Sequence, residues 1–261
     1  MKGDLRAIVG TLRMQMKTTF SRATFKFVVL VQPLVYATIS YMMFRQSQNE
    51  SFMAYVVLGT GLTTMWSSIV FSSSGDIERE RYNGTLELIS IAPVPMRTTI
   101  YGKIAGNTLL GLFSMIYSYL AVWIIYNVPI VIAHPLQFVT ILFLSILALV
   151  GLGAVMAGCF TLSRNSRGLM NALEYPVFIL SGVMFPIAVL PQWLHPVSYT
   201  LVMTWVVGGL RASFGVPALP FSFGIIVTVL ACFTIGHFLL ANWLFRIIER
   251  QVRIKATLGV Q

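Results

Sequence analysis

Charge is scarce in this chain, and acidic charge is scarcest. Of 261 residues, 8 are Asp or Glu, 18 are Lys or Arg, 3 are His and 2 are Cys. Scattered histidines and so few acids argue against the clustered His, Asp and Glu of a membrane-embedded enzyme. Cys159 and Cys232 both fall within apolar runs. Two such residues make no disulfide framework or metal site, and they are expected to be unpaired and inert. A phosphate-binding loop needs G-x-x-x-x-G-K-[ST]. The Gly102-Lys103 pair is followed by Ile104 and has Arg97 five places before Gly102, so the pattern fails there. The net charge of +10 comes without the accessible aromatics on a soluble face that a nucleic-acid surface would need. No small-residue cleavage site ends the first apolar run, so no cleaved signal peptide is expected.

Apolar sequence is what the chain has in excess. Hydrophobic residues make up 57% and charged residues 10%. An ordinary globular domain carries roughly a quarter charged residues. Runs long enough to cross a bilayer as helices fall at 27–44, 52–71, 99–126, 136–162, 169–186 and 221–245. The expected fold is therefore an all-α integral membrane domain with six transmembrane helices, occupying 1–261 as one unit. With the N-terminus in the cytoplasm, 16 of the 18 basic residues lie on inner segments, leaving Arg45 and Arg211 outside. The bias of Lys and Arg toward the cytoplasm sets orientation, so both termini are expected to be cytoplasmic.

Two segments beside the spans have character of their own. In residues 1–25, Leu5, Ile8, Val9, Leu12, Met16 and Phe20 recur at helical spacing, with Arg6, Arg13 and Lys17 flanking them. That pattern predicts an amphipathic interfacial helix, cations toward lipid phosphates. Residues 187–220 are apolar but broken by Pro191, Pro196, Gly208, Gly209 and Pro217. The stretch 198–207 is about half the length a crossing needs. A seventh crossing would also place four C-terminal cations outside. Two short re-entrant helices before the last span are expected instead. Gly102 and Gly106 have the GxxxG spacing that lets helix backbones approach closely.

Half of the acids, Asp76, Glu78, Glu80 and Glu87, sit between 73 and 98 with Arg79, Arg81 and Arg97. Residues 76–81 can extend span two beyond the membrane as a helix with local charge pairs. Asn83-Gly84 then breaks it, residues 85–91 can form a short second helix, and Pro93 and Pro95 stop that one. Leu86, Leu88, Ile89 and Ile91 would be apolar side chains in a charged loop, which marks a docking surface.

The stretches GDIERERYNGTLELISIAPVPMRTTIYGK and SGVMFPIAVLPQWLHPVSYTLVMTWVVGGLR carry a resemblance that covers essentially the whole chain. The first is similar to an E-R-x-x-G-T-x-E-x-x-x-x-x-P-V pattern between the second and third spans. The second is similar to an S-G-x-x-F-P-x-x-x-L-P pattern before the last. Together, and in that order, they resemble the type 2 permeases of ABC transporters, exporters of drugs, polysaccharides and lipid-linked molecules. The resemblance implies a dimer of permeases, here a homodimer, on two cytoplasmic ATPase subunits that bind ATP and Mg, with no cofactor in this chain. It implies a bacterial or archaeal plasma membrane. It makes 85–91 the coupling helix, with Glu78, Arg79, Glu80, Arg81, Gly84, Thr85, Leu86, Glu87, Leu88, Ile89 and Pro93 as coupling residues. The N-terminal helix becomes a second ATPase contact. Phe185, Pro186, Pro191, Trp193 and Arg211 become external gate residues, although Arg211 alone also reads as an interface anchor.

A pathway lining is expected where polar side chains share faces of apolar spans. Thr63 and Ser67 qualify on span two, and Asn171, Glu174 and Phe178 on span five. Glu174 has a second reading as a structural partner for a basic residue. Glu174, with His237 a weaker candidate, also leaves open a stand-alone channel or ion-coupled carrier, which usually needs ionisable groups at midplane. Polysaccharide permeases tend to carry a basic-aromatic motif with Leu-Gly and Trp before the first span. This chain has SRATFKFVVLVQPLVY there, which favours a hydrophobic or amphipathic drug, lipid or peptide.

Overall fold

The computed structural model describes residues 2–21, 26–44, 52–85, 94–126, 132–163, 166–216 and 219–255. Among these the regular structure is helical. In chain order the long helices are α1 (Lys2–Phe20), α2 (Gln32–Phe44), α3 (Phe52–Tyr82), α4 (Met96–Tyr126), α5 (Pro135–Leu162) and α6 (Ser166–Leu180). Short 3-10 turns at Ile187–Val189 and Gln192–Leu194 lead into α7 (His195–Tyr199) and α8 (Val202–Ser213), and α9 (Phe223–Lys255) closes the chain. Five of the six apolar runs expected to span fall on continuous helical stretches; the 169–186 run does not, because α6 ends at Leu180. By length and composition, the stretches Met96–Ile125, Pro135–Leu162 and Phe223–Arg250 can cross a membrane unaided.

Prolines mark the irregular places. A π-helical turn, Phe27–Val31, leads into α2, and the Gln32 N–H donates to the Phe27 carbonyl. Pro33 follows directly and has no N–H to donate, so the hydrogen-bond register slips by one where the ladder would lose a member anyway. Pro176 lies inside α6.

α3 is the centre of the molecule, packed by α2, α4, α5, α6 and α8. Every residue from Leu58 to Val70 is buried. In a membrane, burial against other helices gains little over burial in lipid, so close packing of small residues must hold helices together. α3 supplies Gly59, Thr60, Gly61, Thr63, Thr64, Ser67 and Ser68 on that buried stretch. A Cβ on Gly61 would stand 2.5 Å from the Met115 side chain, and one on Gly111 would stand 3.1 Å from that of Met65. The two methionines each fill a glycine notch across an antiparallel α3–α4 pair. On the other side α5 packs on α3, α8 and α9.

Within the 187–216 stretch, α7 and α8 are two short helices separated by Thr200 and Leu201, neither long enough to cross a membrane. Thr204 Oγ1 donates to the Ser198 carbonyl at 2.6 Å and Trp205 Nε1 to the Tyr199 carbonyl at 2.8 Å. The Trp205 bond gives the Tyr199 carbonyl a partner, and the Ser198 carbonyl also accepts from the Leu201 N–H at 3.1 Å. Trp205 stacks on Phe221 at 5.2 Å, and Tyr199 meets the same ring edge-on.

Candidate functional site

At the Tyr82 end, α3 continues as a helix through the charged stretch and stops where Asn83-Gly84 was expected to break it. The Asn83 N–H still bonds the Arg79 carbonyl at 2.8 Å. Gly84 has φ +67°, in the left-handed region that suits a residue without Cβ. Thr85 then turns back: its hydroxyl donates to the Glu80 carbonyl at 3.3 Å and to the Glu80 carboxylate. Glu80 also takes a charge-assisted bond from Lys103 Nζ on α4. Glu78 and Arg81 lie on the same helix. Leu86, Glu87, Leu88, Ile89 and Pro93 fall outside the described residues.

Just before this end lies a polar knot that sequence reasoning missed. Asp76 is 7% exposed, yet it accepts from Gln15 Nε2 of α1 and from Asn107 Nδ2 of α4 at 3.1 Å. Gln15 Nε2 also bonds Thr19 Oγ1 at 2.9 Å and Asn107 Oδ1 at 3.2 Å. Arg79 stands 3.6 Å from Asp76. Three helices thus meet on one carboxylate, and each buried polar group finds a partner, as burial demands. The GxxxG pair explains how α1 comes so close. Cβ atoms on Gly102 and Gly106 would stand 2.9 Å from the Ile8 carbonyl and 3.1 Å from the Leu12 carbonyl. α1 therefore docks on α4 through Gln15 and Thr19. Arg6, Arg13 and Lys17 are exposed, and so are Val9 and Phe20 of its apolar series. One signal was available: Gln15 and Thr19 stand four apart in an amphipathic helix, and Asn107 is a lone amide in an apolar run.

Midway along α3, two of the expected pathway residues meet inside one chain. Ser67 Oγ donates to Glu174 Oε1 of α6 at 2.7 Å. Thr63, Ser67, Glu174 and Phe178 are all buried. Asn171 is on α6. The Ser67–Glu174 bond ties α6 to the central helix.

The gate residues separate into exposed and buried sets. Pro191 and Trp193 are exposed, Trp193 at 74%, while Phe185 and Pro186 are half-buried. Arg211 is 1% exposed, so it is not a surface anchor. Its Nη1 donates to the Gly182 carbonyl at 2.6 Å and its Nη2 to the Val183 carbonyl at 2.7 Å. Gly182 has φ +76°, which turns the chain after α6 so that successive carbonyls face the guanidinium. Cys159 and Cys232 are free thiols.

These features define an α-helical integral membrane protein whose central helix carries a charged extension at one end and a buried arginine clamp at the other. Residues 7–215 match the family described as ABC-2 type transporter, and the chain belongs to that family. It is similar to the "Inner membrane transport permease YadH" of Escherichia coli (strain K12). The two are 22% identical over 216 residues, covering 78% of this chain and 83% of that protein. The protein of the same name from Shigella flexneri matches equally well. The chain is thus a transmembrane permease subunit of an ABC transporter, a class whose ATP-binding subunit is a separate protein.

Proposed function

We propose that two copies of this chain form the membrane part of an ATP-driven exporter, each copy seated on a cytoplasmic ATPase subunit that holds ATP and Mg. The substrate is a hydrophobic or amphipathic drug, lipid or peptide. The membrane is a bacterial or archaeal plasma membrane, crossed six times with both termini in the cytoplasm. Residues 85–91 dock on the ATPase, and the 181–216 segment closes the outer end of the path.

The observation that carries this reading is the unbroken course of α3. One helix, Phe52–Tyr82, joins the buried bundle to the Gly84 turn, and Glu80 fixes that turn to α4 through Lys103. A helix of that length extends about 45 Å at 1.5 Å per residue, enough to cross a bilayer core and project beyond it. Force applied at 85–91 therefore enters the bundle through its central element.

The test is Leu86→Asp combined with Ile89→Asp. The variant should insert as wild type does, yet lose co-purification with the ATPase subunit encoded beside it, or lose stimulation of that subunit's hydrolysis. Wild-type association and wild-type hydrolysis together would refute the docking assignment.

A further inference from the structure

The Val183 carbonyl is held from two directions by residues far apart in sequence. Arg211 Nη2 of α8 donates to it at 2.7 Å. On its other side lies Gly59 of α3, where an added Cβ would stand 2.8 Å from the same oxygen. Gly182 presents the neighbouring carbonyl to Arg211 Nη1. Cβ atoms essentially never come within 3.0 Å of an oxygen. Hence α3 and the turn can be this close only because position 59 has no side chain. The guanidinium is buried, planar and forked, and it meets two carbonyls at once, one from each arm, in a geometry that lysine's point-like ammonium does not preset.

We propose that Gly59, the Gly182-Val183 turn and Arg211 form a single pin that locks the outer segment onto α3, so that this segment opens only when α3 moves. Arg211 is a positioning residue in this scheme: it acts through the Val183 carbonyl and touches no substrate. The consequence is mechanical. The charged end of α3 reaches Tyr82 and the coupling segment, and Gly59 lies near the opposite end of the same helix. Cores built from close-packed elements shift between discrete arrangements and do not deform smoothly. A rod fastened at both ends would then carry motor movement to the outer closure without an intervening joint. The rod rests on the exporter reading above, and so does the use of dye release to test the pin, since the outer segment must close a path for the pin to hold it shut.

The experiment uses the full chain in proteoliposomes with trapped carboxyfluorescein and no nucleotide. Wild type should be tight. Arg211→Gln and Gly59→Ala should each raise dye release about tenfold, a loss of about 1.4 kcal/mol of closure. The double variant should leak no more than the leakier single one, because both changes act on one carbonyl. Arg211→Lys should fall between wild type and Arg211→Gln. Gly224→Ala, where a Cβ meets nothing within 4 Å, should stay tight. If Arg211→Gln fails to insert, Gly59→Ala still judges the pin, since it alters no charge. Tight liposomes with a well-inserted Gly59→Ala would overturn the proposal, and so would a double variant whose leak is the product of the two singles. A second readout separates the two readings. With the ATPase present, thiol labelling at Met184→Cys, an exposed site, should respond to ATP, and Arg211→Gln should abolish the response while hydrolysis persists. No response in the wild-type background would count against the exporter reading, whereas a wild-type response together with tight, well-inserted Gly59→Ala liposomes would count against the pin alone.

Discussion

At the Tyr82 end of α3 the fastenings to α1 and α4 run from side chain to side chain; toward the Phe52 end they run from a side chain to backbone. Asp76 gathers Gln15 and Asn107, and Glu80 takes Lys103, so every partner there is encoded and exchangeable. Near Gly59 the acceptors are the carbonyls of Gly182 and Val183, which no substitution removes. All variation there must fall on Arg211 or on the glycines. The first kind of joint suits an end that meets a separate protein and can be retuned with it. The second suits a fastening that must hold while the elements it joins move together. The two also differ in wetness: Lys103 and Glu80 keep 18% and 24% of their side chains exposed, whereas Arg211 keeps 1% of its surface.

The widest contrast comes from removing one member at each end. Arg211→Ala strands two carbonyls that now accept from a charged donor, each bond being of a class worth about 1.5–3 kcal/mol. Asp76→Leu strands the Asn107 amide donor, which costs about 1–3 kcal/mol when buried without a partner, and leaves Gln15 with Thr19 and the Asn107 oxygen. Both should lower the unfolding temperature in detergent, with Arg211→Ala the larger loss. Limited proteolysis should tell them apart further. Asp76→Leu should release α1 as an early fragment, and Arg211→Ala should leave α1 protected. Release of α1 from the Arg211 variant would remove the distinction between the two ends.

The difference between the ends also explains what could be read from the residues. Helix positions, the Asn83-Gly84 break and the short helices of 187–220 follow from apolar periodicity and from Gly and Pro, which act locally. The close approach of Gly102 and Gly106 was legible as a motif, but its partner was not, because a GxxxG pattern names no neighbour. The knot was hidden for the same reason: Gln15, Asp76 and Asn107 are far apart in sequence, and each alone reads as a surface or span-end polar residue. Arg211 stood out by charge, and its expected position outside, between the short helices and the last span, suggested an interface anchor. Only the fold shows it inside, because its acceptors are backbone groups with no signature of their own.

In the middle of α3, a smaller effect separates structure from chemistry. Ser67 donates to Glu174, so Glu174→Gln keeps a carbonyl acceptor and should cost little stability, about 1 kcal/mol or less. Glu174→Leu strands the Ser67 hydroxyl and should cost more. If Glu174→Gln assembles with the ATPase as wild type does yet loses export of a cationic dye such as ethidium, the charge serves the pathway. If export persists, the bond to Ser67 is the whole of its role.

The smallest effect belongs to the outermost fastening. Glu80 and Lys103 form a partly exposed pair, and such pairs contribute roughly 0.2–1 kcal/mol, less at high salt. Glu80 also accepts from Thr85, so Glu80→Gln retains an acceptor while losing the charge. The stability change should be close to the limit of measurement, about 0.5 kcal/mol, and should shrink as salt is raised. Function offers the sharper readout. The pair sets the direction in which the chain leaves Gly84, so Glu80→Gln should weaken ATPase co-purification at low salt more than at high salt, and Lys103→Met should do the same. Their double variant should be no worse than either single variant if the two residues act only through each other. An additive double would mean that each touches the ATPase separately, and the turn at Gly84 would then be held by Thr85 and the backbone alone.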